Sequence, residues 1–230
     1  MKIPMKETLA AGKAATVVNL DHVSPSLVEA LGGLPVDAVF LDCEQGAPDF
    51  LAVEDMARAA RLVGLTSLVR IYQPAPWLVE RVMFRRVDGI VVPRIDTAAQ
   101  AAEMVDAMRY CYPDDHASKV LVVQVESAAA LDNLDAILAV DGIDAYFIGP
   151  VDLSKSLGHR GDYRNDEMQA VIDDTIGRIC AAGRVAGVMV DRESVGRYAA
   201  LGVRFFYEHV NNFLHYGADD FARAAASRAE

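Results

Sequence analysis

Short apolar runs alternate with amphipathic helical segments along the whole chain, and this alternation is the main signal in the sequence. The apolar runs are short and rich in Val, Ile, Leu and Phe, as buried strands are. They predict β-strands at residues 15–20, 38–43, 67–71, 89–94, 120–126, 145–150, 185–190 and 204–209. Apolar residues at helical spacing predict α-helices at residues 6–12, 26–31, 53–63, 76–85, 97–109, 128–139, 166–182, 194–201 and 216–228. Gly64, Gly183 and Gly202 follow three of these helices, where a left-handed glycine commonly ends a helix.

Eight strand–helix repeats within 230 residues favour an α/β fold, a closed (β/α)8 TIM barrel. A doubly wound open sheet is the alternative, but no GxGxxG motif follows the first predicted strand. No linker, low-complexity tract or change of composition interrupts the repeats. We therefore expect residues 1–230 to form one domain, in which residues 1–14 include a lead-in helix.

The amino-acid composition limits the kinds of molecule that the protein can bind. Hydrophobic residues are 53% of the chain and the mean hydropathy is +0.17, as expected for strands that are buried on both faces. A formal net charge of −11 argues against a nucleic-acid partner, which needs a basic face. No apolar run approaches the roughly 20 residues that span a bilayer, and the first residues lack the apolar centre of a signal peptide. We therefore expect a cytoplasmic protein without a membrane partner, in which Cys43, Cys111 and Cys180 are reduced thiols.

Two carboxylates follow neighbouring apolar runs in the middle of the chain. The run VLVVQV leads directly to Glu126, and the run AYFIG leads through a Pro-Val turn to Asp152. A helical segment separates the runs, so the two strands should be parallel and adjacent, with both acids at the carboxyl end of the sheet. Two acids that meet there form an oxygen site for a divalent ion such as Mg²⁺ or Mn²⁺. Either acid alone could cap the following helix instead, but their pairing, with Gly149 close to Asp152, favours the metal.

Other polar residues stand at the predicted strand ends, where a barrel of this kind places its active site. They are Asn19, Asp21, Asp42, Glu44, Gln45, Arg70, Tyr72, Arg94, Gln124, Asp191, Glu208, His209 and Asn211. Charge gathered at one mouth of an apolar barrel is typical of an enzyme. The Arg70 guanidinium could hold a substrate carbonyl oxygen that becomes an enolate, or close the rim through a salt bridge to Asp42 or Glu44. A turn at Gly149 could bring backbone N–H groups to a ligand carboxylate.

Six segments of the chain, taken together, resemble those of a known protein family. They are LDCEQGAP (41–48), LVRI (68–71), GIVVPRIDTAAQA (89–101), VQVESAAALDNLDAIL (123–138), GIDAYFIGPVDLSKSLGHRGD (142–162) and AAGRVAGVMV (181–190). Together they resemble the HpcH/HpaI family, the class II metal-dependent pyruvate aldolases typified by 4-hydroxy-2-oxoheptanedioate aldolase. The resemblance covers residues 8–214 and implies a TIM barrel of the phosphoenolpyruvate/pyruvate-binding type. It also implies a homo-oligomer, a trimer or a hexamer, in which the last helix, within residues 213–230, is exchanged between subunits.

The resemblance implies a role for each central residue of the site. Glu126 and Asp152 match the protein ligands of Mg²⁺, Mn²⁺ or Co²⁺, and Arg70 matches the group that stabilises the enolate oxygen of pyruvate. Gln124 matches a polar residue near the metal. Gly149, Val151 and Asp152 match the residues whose backbone receives the carboxylate of the 2-oxo acid substrate.

The chain departs from the family pattern at the residues for proton transfer. Members usually have a His after the acid that follows the second strand, and this His is the general base for the substrate hydroxyl. The corresponding residues are Glu44 and Gln45, and the Gln45 amide cannot accept a proton. The Asp that pairs with this His falls on Phe84, so both members of the pair are missing. The loop at residues 109–119 is also shorter than usual, which predicts a more open pocket.

Loss of the base is expected to weaken aldol cleavage and to spare decarboxylation of acids such as oxaloacetate, because departure of CO₂ generates the enolate without deprotonating a hydroxyl. His209 at the end of the eighth strand, or His159 on the loop after Asp152, could replace the missing base. The first hypothesis is therefore a metal-dependent carbon–carbon lyase, aldolase-like, that acts on a 2-oxo acid through a pyruvate enolate. The alternative is a barrel without catalysis that binds a keto acid or a partner as a sensor or accessory subunit.

Overall fold

Eight parallel strands close into a barrel in the structure, a computed structural model that describes residues 4–226. The strands are β1 Ala15–Asn19, β2 Ala38–Asp42, β3 Thr66–Arg70, β4 Gly89–Val92, β5 Val120–Val125, β6 Ala145–Ile148, β7 Ala186–Met189 and β8 Phe205–His209. Each strand pairs with the next one along the chain, and β8 pairs with β1. The predicted (β/α)8 TIM barrel is confirmed.

Helices connect successive strands on the outside of the barrel. They are α1 Met5–Ala10, α2 Pro25–Leu31, α3 Phe50–Val63, α4 Pro76–Met83, α5 Ala98–Cys111, α6 Ala128–Asp132, α7 Leu134–Leu138, α8 Pro150–Ser156, α9 Asp166–Ala181, α10 Val195–Ala200 and α11 Val210–Ala226, with a 3₁₀ turn at His116–Ser118. Ser24, Asp49 and Asn165 begin three helices by accepting a backbone N–H of the first turn. Gly64 ends α3 in the predicted left-handed conformation, with φ of 72°. No helix within residues 4–226 combines the length and the apolar character needed to cross a membrane.

The predicted single helix at residues 128–139 was wrong, because the chain breaks into α6 and α7 at Asn133. The backbone of Asn133 has φ of −99° and ψ of 7°, outside the helical region. Its side-chain amide donates to the carbonyl oxygens of Asp96 and Ala129, at 2.9 and 3.0 Å. An Asn that bonds nearby backbone groups in this way competes with the helical hydrogen bonds.

Two further predictions of secondary structure were wrong. The segment after β6 was predicted as a turn, but it forms α8, which begins with Pro150 at the first helical position. The last helix begins at Val210, directly after β8, and not at residue 216. Residues 227–228 of that predicted helix, and residues 1–3 of the lead-in segment, lie outside the described residues.

The interior of the barrel is filled by side chains and covered at its amino end by α1. Large side chains such as Phe40, Phe147 and Phe205 fill the interior. Met5 and Leu9 of α1 join this interior cluster, with 0% and 4% exposure. A second apolar layer packs the outer faces of the strands against the helices.

Candidate active site

A cavity of about 170 Å³ opens at the carboxyl ends of the strands. It is lined by Asp42, Gln45, Arg70, Gln124, Glu126, Phe147, Gly149, Pro150, Val151, Asp152, Lys155, Met189, Tyr207 and His209. Every residue predicted for catalysis, substrate binding or metal binding is in this set, except the alternative base His159. The structure therefore brings the predicted residues together, although their sequence positions range from residue 45 to residue 209.

Arg70 is held from two sides by carboxylates. Its Nε donates to Asp42 Oδ1 at 2.9 Å, its Nη2 donates to Asp42 Oδ2, and its Nη1 lies 3.2 Å from Glu44 Oε2. The side chain is buried, with 8% of the residue exposed, yet it lines the cavity. The rim salt bridge is therefore present with both candidate acids, and it fixes the guanidinium at the cavity wall.

Glu126 is buried and held by two donors. Its Oε1 accepts the backbone N–H of Arg94 at 2.8 Å, and its Oε2 accepts from the Gln124 side-chain amide at 3.1 Å. The pKa of Glu126 is raised to about 7, chiefly by burial and also by the like charges of Glu44 and Asp152. The Arg94 N–H and the Arg70 guanidinium lower this pKa, but by less than burial raises it.

Asp152 lies in the first turn of α8, next to the predicted substrate segment. Lys155 donates from Nζ to Asp152 Oδ1 at 3.0 Å, one helical turn later. Gly149 precedes the helix, and its lack of a side chain leaves room for the Glu126 carboxylate. Gly149 and Val151 line the cavity, as a segment that receives a substrate carboxylate must. That role remains a prediction.

The donor set fits a hard divalent ion. Glu126 and Asp152 line one cavity, and the Gln124 Oε1 atom is buried without a hydrogen-bond partner. The two carboxylates and the Gln124 Oε1 atom offer oxygen ligands, which Mg²⁺ and Mn²⁺ prefer. Within residues 4–226 no group of three or more His, Cys, Asp or Glu residues is placed to hold an ion. An ion at these two acids would therefore take its other ligands from water and substrate.

Gln45 and His209 stand together at the cavity entrance. Both residues also line an adjoining cavity of about 240 Å³, with Asn19, Asp21 and His22. The Gln45 backbone N–H donates to Asp42 Oδ1 at 3.1 Å, which fixes the turn after β2. His209 lies at the carboxyl end of β8 with its ring directed at Asp21.

The other two positions considered for proton transfer lie elsewhere. His159 faces Glu167 at 3.7 Å and is not among the cavity residues. Phe84 follows α4 and is 55% exposed. Because α4 runs back from the carboxyl mouth, its end is at the amino end of the barrel. Phe84 therefore does not face Gln45 within one chain. The presence of Phe at this position is no evidence for or against an acid–base pair inside the chain.

Lys155, Tyr207, Phe147 and Met189 were not predicted as site residues, although they line the cavity. Lys155 follows Asp152 at a spacing of three, and this signal is useful only once α8 is recognised. Tyr207, Phe147 and Met189 lie inside apolar strands, where the sequence does not indicate which residues reach the mouth.

Comparison with known proteins identifies the family of the chain. The sequence profile of the HpcH/HpaI aldolase/citrate lyase family matches residues 15–220. A hydroxypyruvate/pyruvate aldolase of Agrobacterium fabrum is 32% identical, over 87% of this chain and 84% of its own. A 2-keto-3-deoxy-L-rhamnonate aldolase of Klebsiella pneumoniae is 32% identical, over 94% of this chain and 90% of its own.

A solved structure gives the same result for the fold. An HpcH/HpaI aldolase/citrate lyase family protein from Burkholderia cenocepacia superposes with a TM-score of 0.87 at 25% identity, over 96% of this chain and 98% of its own. These relatives carry the names of aldolases and lyases, and they give no support to a sensor without catalysis. The chain belongs to the HpcH/HpaI aldolase/citrate lyase family.

Proposed function

We propose that this protein is a divalent metal-dependent carbon–carbon lyase that acts on 2-oxo acids through the enolate of pyruvate. One observation carries the proposal: a buried arginine and two carboxylates, Arg70, Glu126 and Asp152, line the same small cavity at the barrel mouth. Relatives that are named hydroxypyruvate/pyruvate aldolases support pyruvate as the part of the substrate that becomes the enolate.

Each residue then has a role that its contacts support. Glu126 and Asp152 would hold the ion, which when bound polarises the keto oxygen and stabilises the charge that develops there. Arg70 donates to the same oxygen, and its contacts with Asp42 and Glu44 hold it ready for this role. The Gln124 amide orients the Glu126 carboxylate.

The carboxylate of the 2-oxo acid lies against the backbone of Gly149, Val151 and Asp152, as the family resemblance implies. This assignment is compatible with the cavity, because Gly149 and Val151 line it beside Glu126. It places the keto group of the substrate between Arg70 and the two acids.

Decarboxylation of oxaloacetate is the reaction that these residues favour. The bond from C3 to the carboxylate carbon breaks, CO₂ leaves, and the electron pair passes to the C2 carbonyl to form the pyruvate enolate. Protonation at C3 then gives pyruvate. Cleavage of a 4-hydroxy-2-oxo acid must also remove the hydroxyl proton, which Gln45 cannot accept. Aldol cleavage is therefore the slower of the two reactions unless another residue supplies the base.

Oxaloacetate decarboxylation with Mg²⁺ or Mn²⁺ tests the proposal, with the metal-only rate subtracted. Arg70→Ala and Glu126→Gln should each reduce kcat/KM by about 100-fold, the usual loss when a group that stabilises an oxyanion is removed. Arg94→Met is the matched control, since the Arg94 side chain is 67% exposed and only its backbone N–H contacts Glu126. Decarboxylation that is unchanged in both Arg70→Ala and Glu126→Gln contradicts the mechanism.

The predicted homo-oligomer, a trimer or hexamer with an exchanged last helix, also belongs to this proposal. Val210 is the one buried residue of α11, although the helix is amphipathic. Phe213, Leu214 and Phe221 are 40%, 59% and 79% exposed within the single chain. Light scattering of the purified chain and of a variant that ends before Phe213 tests it, and a full-length monomer contradicts it.

A further inference from the structure

Asp21 and His209 form a close pair at the mouth of the barrel. The His209 Nδ1 atom lies 2.6 Å from Asp21 Oδ1. Asp21 has a positive φ of 55°, which is uncommon for a residue with a side chain. Asn19 Oδ1 accepts the Asp21 N–H at 3.1 Å, and Asp21 Oδ2 accepts the Asn211 N–H at 3.2 Å. The neighbouring residues therefore hold Asp21 in a strained conformation that aims its carboxylate at His209.

This pairing decides which ring nitrogen of His209 can act as a base. A carboxylate only accepts hydrogen bonds, so the neutral imidazole carries its proton on Nδ1 and its lone pair on Nε2. The same arrangement of carboxylate and imidazole prepares the base in hydrolase triads. Asp21 therefore leaves the Nε2 atom of His209 free to accept a proton.

The Nε2 atom of His209 is directed at a hydroxyl of the cavity wall. It lies 3.4 Å from the Tyr207 hydroxyl, which accepts from the Asn19 side-chain amide at 2.6 Å. Tyr207 is 5% exposed and lines the cavity together with Arg70. Burial raises the pKa of Tyr207, so this hydroxyl keeps its proton and can donate it towards His209.

The charged and titratable groups around His209 are few. Asp21 and Tyr207 face its ring, and the Glu208 carboxylate accepts its backbone N–H at 2.7 Å. His209 lines both the substrate cavity and the adjoining cavity, as Gln45 does. By contrast, His22 is bonded to Asn211 at 2.9 Å and lines only the adjoining cavity.

We propose that His209, oriented by Asp21, is the proton-transfer residue of this site and supplies the function that Gln45 cannot. This inference rests on the proposed function, since it assigns the acid–base group of the same reaction. His209 is assigned as the catalytic residue because it lines the same cavity as Arg70 and Glu126. Asp21 is a positioning residue, which acts on the substrate through His209.

The proton balance of the reaction follows from this assignment. In cleavage of a 4-hydroxy-2-oxo acid, His209 Nε2 takes the proton of the C4 hydroxyl and the bond between C3 and C4 breaks. The electron pair passes to the C2 carbonyl to form the pyruvate enolate, and the aldehyde leaves. The proton on Nε2 then passes to C3 and pyruvate is complete. In decarboxylation, His209 takes a proton from water and passes it to C3 after CO₂ has left, so that pyruvate and hydroxide balance the reaction.

Exchange of the pyruvate methyl protons with deuterium, followed by proton NMR with Mg²⁺ in D₂O, isolates the proton-transfer step. The wild-type protein should exchange them, and His209→Gln should exchange them about 100-fold more slowly, as loss of a general base predicts. His209→Ala should recover exchange when imidazole is added, which a purely structural defect would not do. His22→Gln and His159→Gln are matched controls and should keep the wild-type rate.

Asp21→Asn provides a second variant, with a readout specific to positioning. An amide offers both a donor and an acceptor, so it no longer fixes the proton of the ring on Nδ1, and kcat for exchange should fall while KM for pyruvate keeps its wild-type value. Exchange at the wild-type rate in His209→Gln overturns the proposal. If that variant does not fold, an unchanged kcat for exchange in Asp21→Asn overturns it.

These experiments distinguish failure of the proposed function from failure of the role assigned to His209. A wild-type protein that releases CO₂ from oxaloacetate but exchanges no pyruvate protons keeps the lyase and overturns the role of His209. A wild-type protein that does neither overturns both. Slow exchange in His209→Gln with rescue by imidazole supports both.

Discussion

The carboxylate of Glu126 fills the space beside Gly149 that any other residue would need for its side chain. A β-carbon at Gly149 would lie 2.7 Å from Glu126 Oε2 and 3.0 Å from the Glu126 β-carbon. The Gly149 N–H donates to the Val125 carbonyl at 3.1 Å, so the sheet fixes its backbone next to β5. The position of the proposed metal ligand on one strand therefore depends on a glycine that follows the neighbouring strand.

Gly149→Ala should weaken metal binding without removing a ligand. The new methyl group cannot move away from Glu126, because its backbone is bonded to β5, so the carboxylate must turn out of its position. Displacing a first ligand in this way should lower Mn²⁺ affinity by at least about 10-fold, as changes beside metal ligands commonly do. Calorimetric titration of Mn²⁺ measures this directly, without an activity assay.

Gly177→Ala is the matched control for this substitution. Gly177 lies within α9, and an added β-carbon there would meet nothing within 4 Å. Mn²⁺ affinity should be unchanged, and the free energy of unfolding should rise by about 0.5 to 1 kcal/mol, because alanine favours the helix. Equal Mn²⁺ affinity in Gly149→Ala and wild type would show that Glu126 does not depend on this contact.

Arg70 and Arg94 both contact Glu44, but they should differ greatly in their effect on stability. Arg70→Met leaves the carboxylates of Asp42 and Glu44 without their buried partner, so the free energy of unfolding should fall by about 3 kcal/mol or more. Arg94→Met removes a mostly exposed partner of Glu44 and should cost less than about 1 kcal/mol. Urea unfolding of the two variants measures both changes, and equal losses would contradict the assigned difference in burial.

The apolar periodicity of the sequence was sufficient to predict the barrel. The barrel fold was in turn sufficient to predict which residues lie at its carboxyl end. Parallel strands end at one edge, so Glu126, Asp152 and Arg70 could be grouped without knowing any side-chain direction. A salt bridge from Arg70 to Asp42 or Glu44 was one of two predicted alternatives. The sequence could not decide that Arg70 contacts both acids, because this depends on rotamers and on the register that pairs Asp42 with Arg70.

The contact between Asp21 and His209 could not be predicted from the sequence either. The two residues are 188 positions apart, and they meet because barrel closure pairs Asn19 of β1 with His209 of β8. Asp21 reaches the ring only through a positive φ that a non-glycine residue rarely adopts. Helix α8 was missed for a local reason, since a Gly-Pro pair reads as a turn unless the following residues are known to be helical.

Cys43 should be the least reactive of the three thiols in the native protein. Burial raises its pKa from 9.0 to about 12, and the charges of Asp42 and Asp49 add to this effect. At pH 8 the reactive thiolate should therefore be about a thousandfold rarer than in an ordinary cysteine, one factor of ten for each unit. Iodoacetamide labelling with peptide mass spectrometry should show slow modification of Cys43 in buffer and rapid modification in urea.

Cys111 offers an internal comparison in the same digest. Burial raises its pKa to about 11, less than for Cys43, and its side chain is only partly buried. Cys111 should therefore be labelled before Cys43 in the native protein, and both should react alike after unfolding. Labelling of Cys43 as fast in buffer as in urea would contradict the buried position of the thiol.

Lys155 would compete with the proposed metal ion for Asp152, so its removal should strengthen metal binding. Its Nζ atom donates to Asp152 Oδ1 at 3.0 Å, and the Lys155 side chain is 56% exposed. An exposed ion pair contributes at most about 1 kcal/mol, so Lys155→Met should raise Mn²⁺ affinity by about 3- to 5-fold. Lys13→Met, at an exposed position outside the cavity, removes the same charge and should leave the affinity unchanged. Weaker Mn²⁺ binding in Lys155→Met would mean that the ammonium supports the site, for example by holding the Asp152 carboxylate in place.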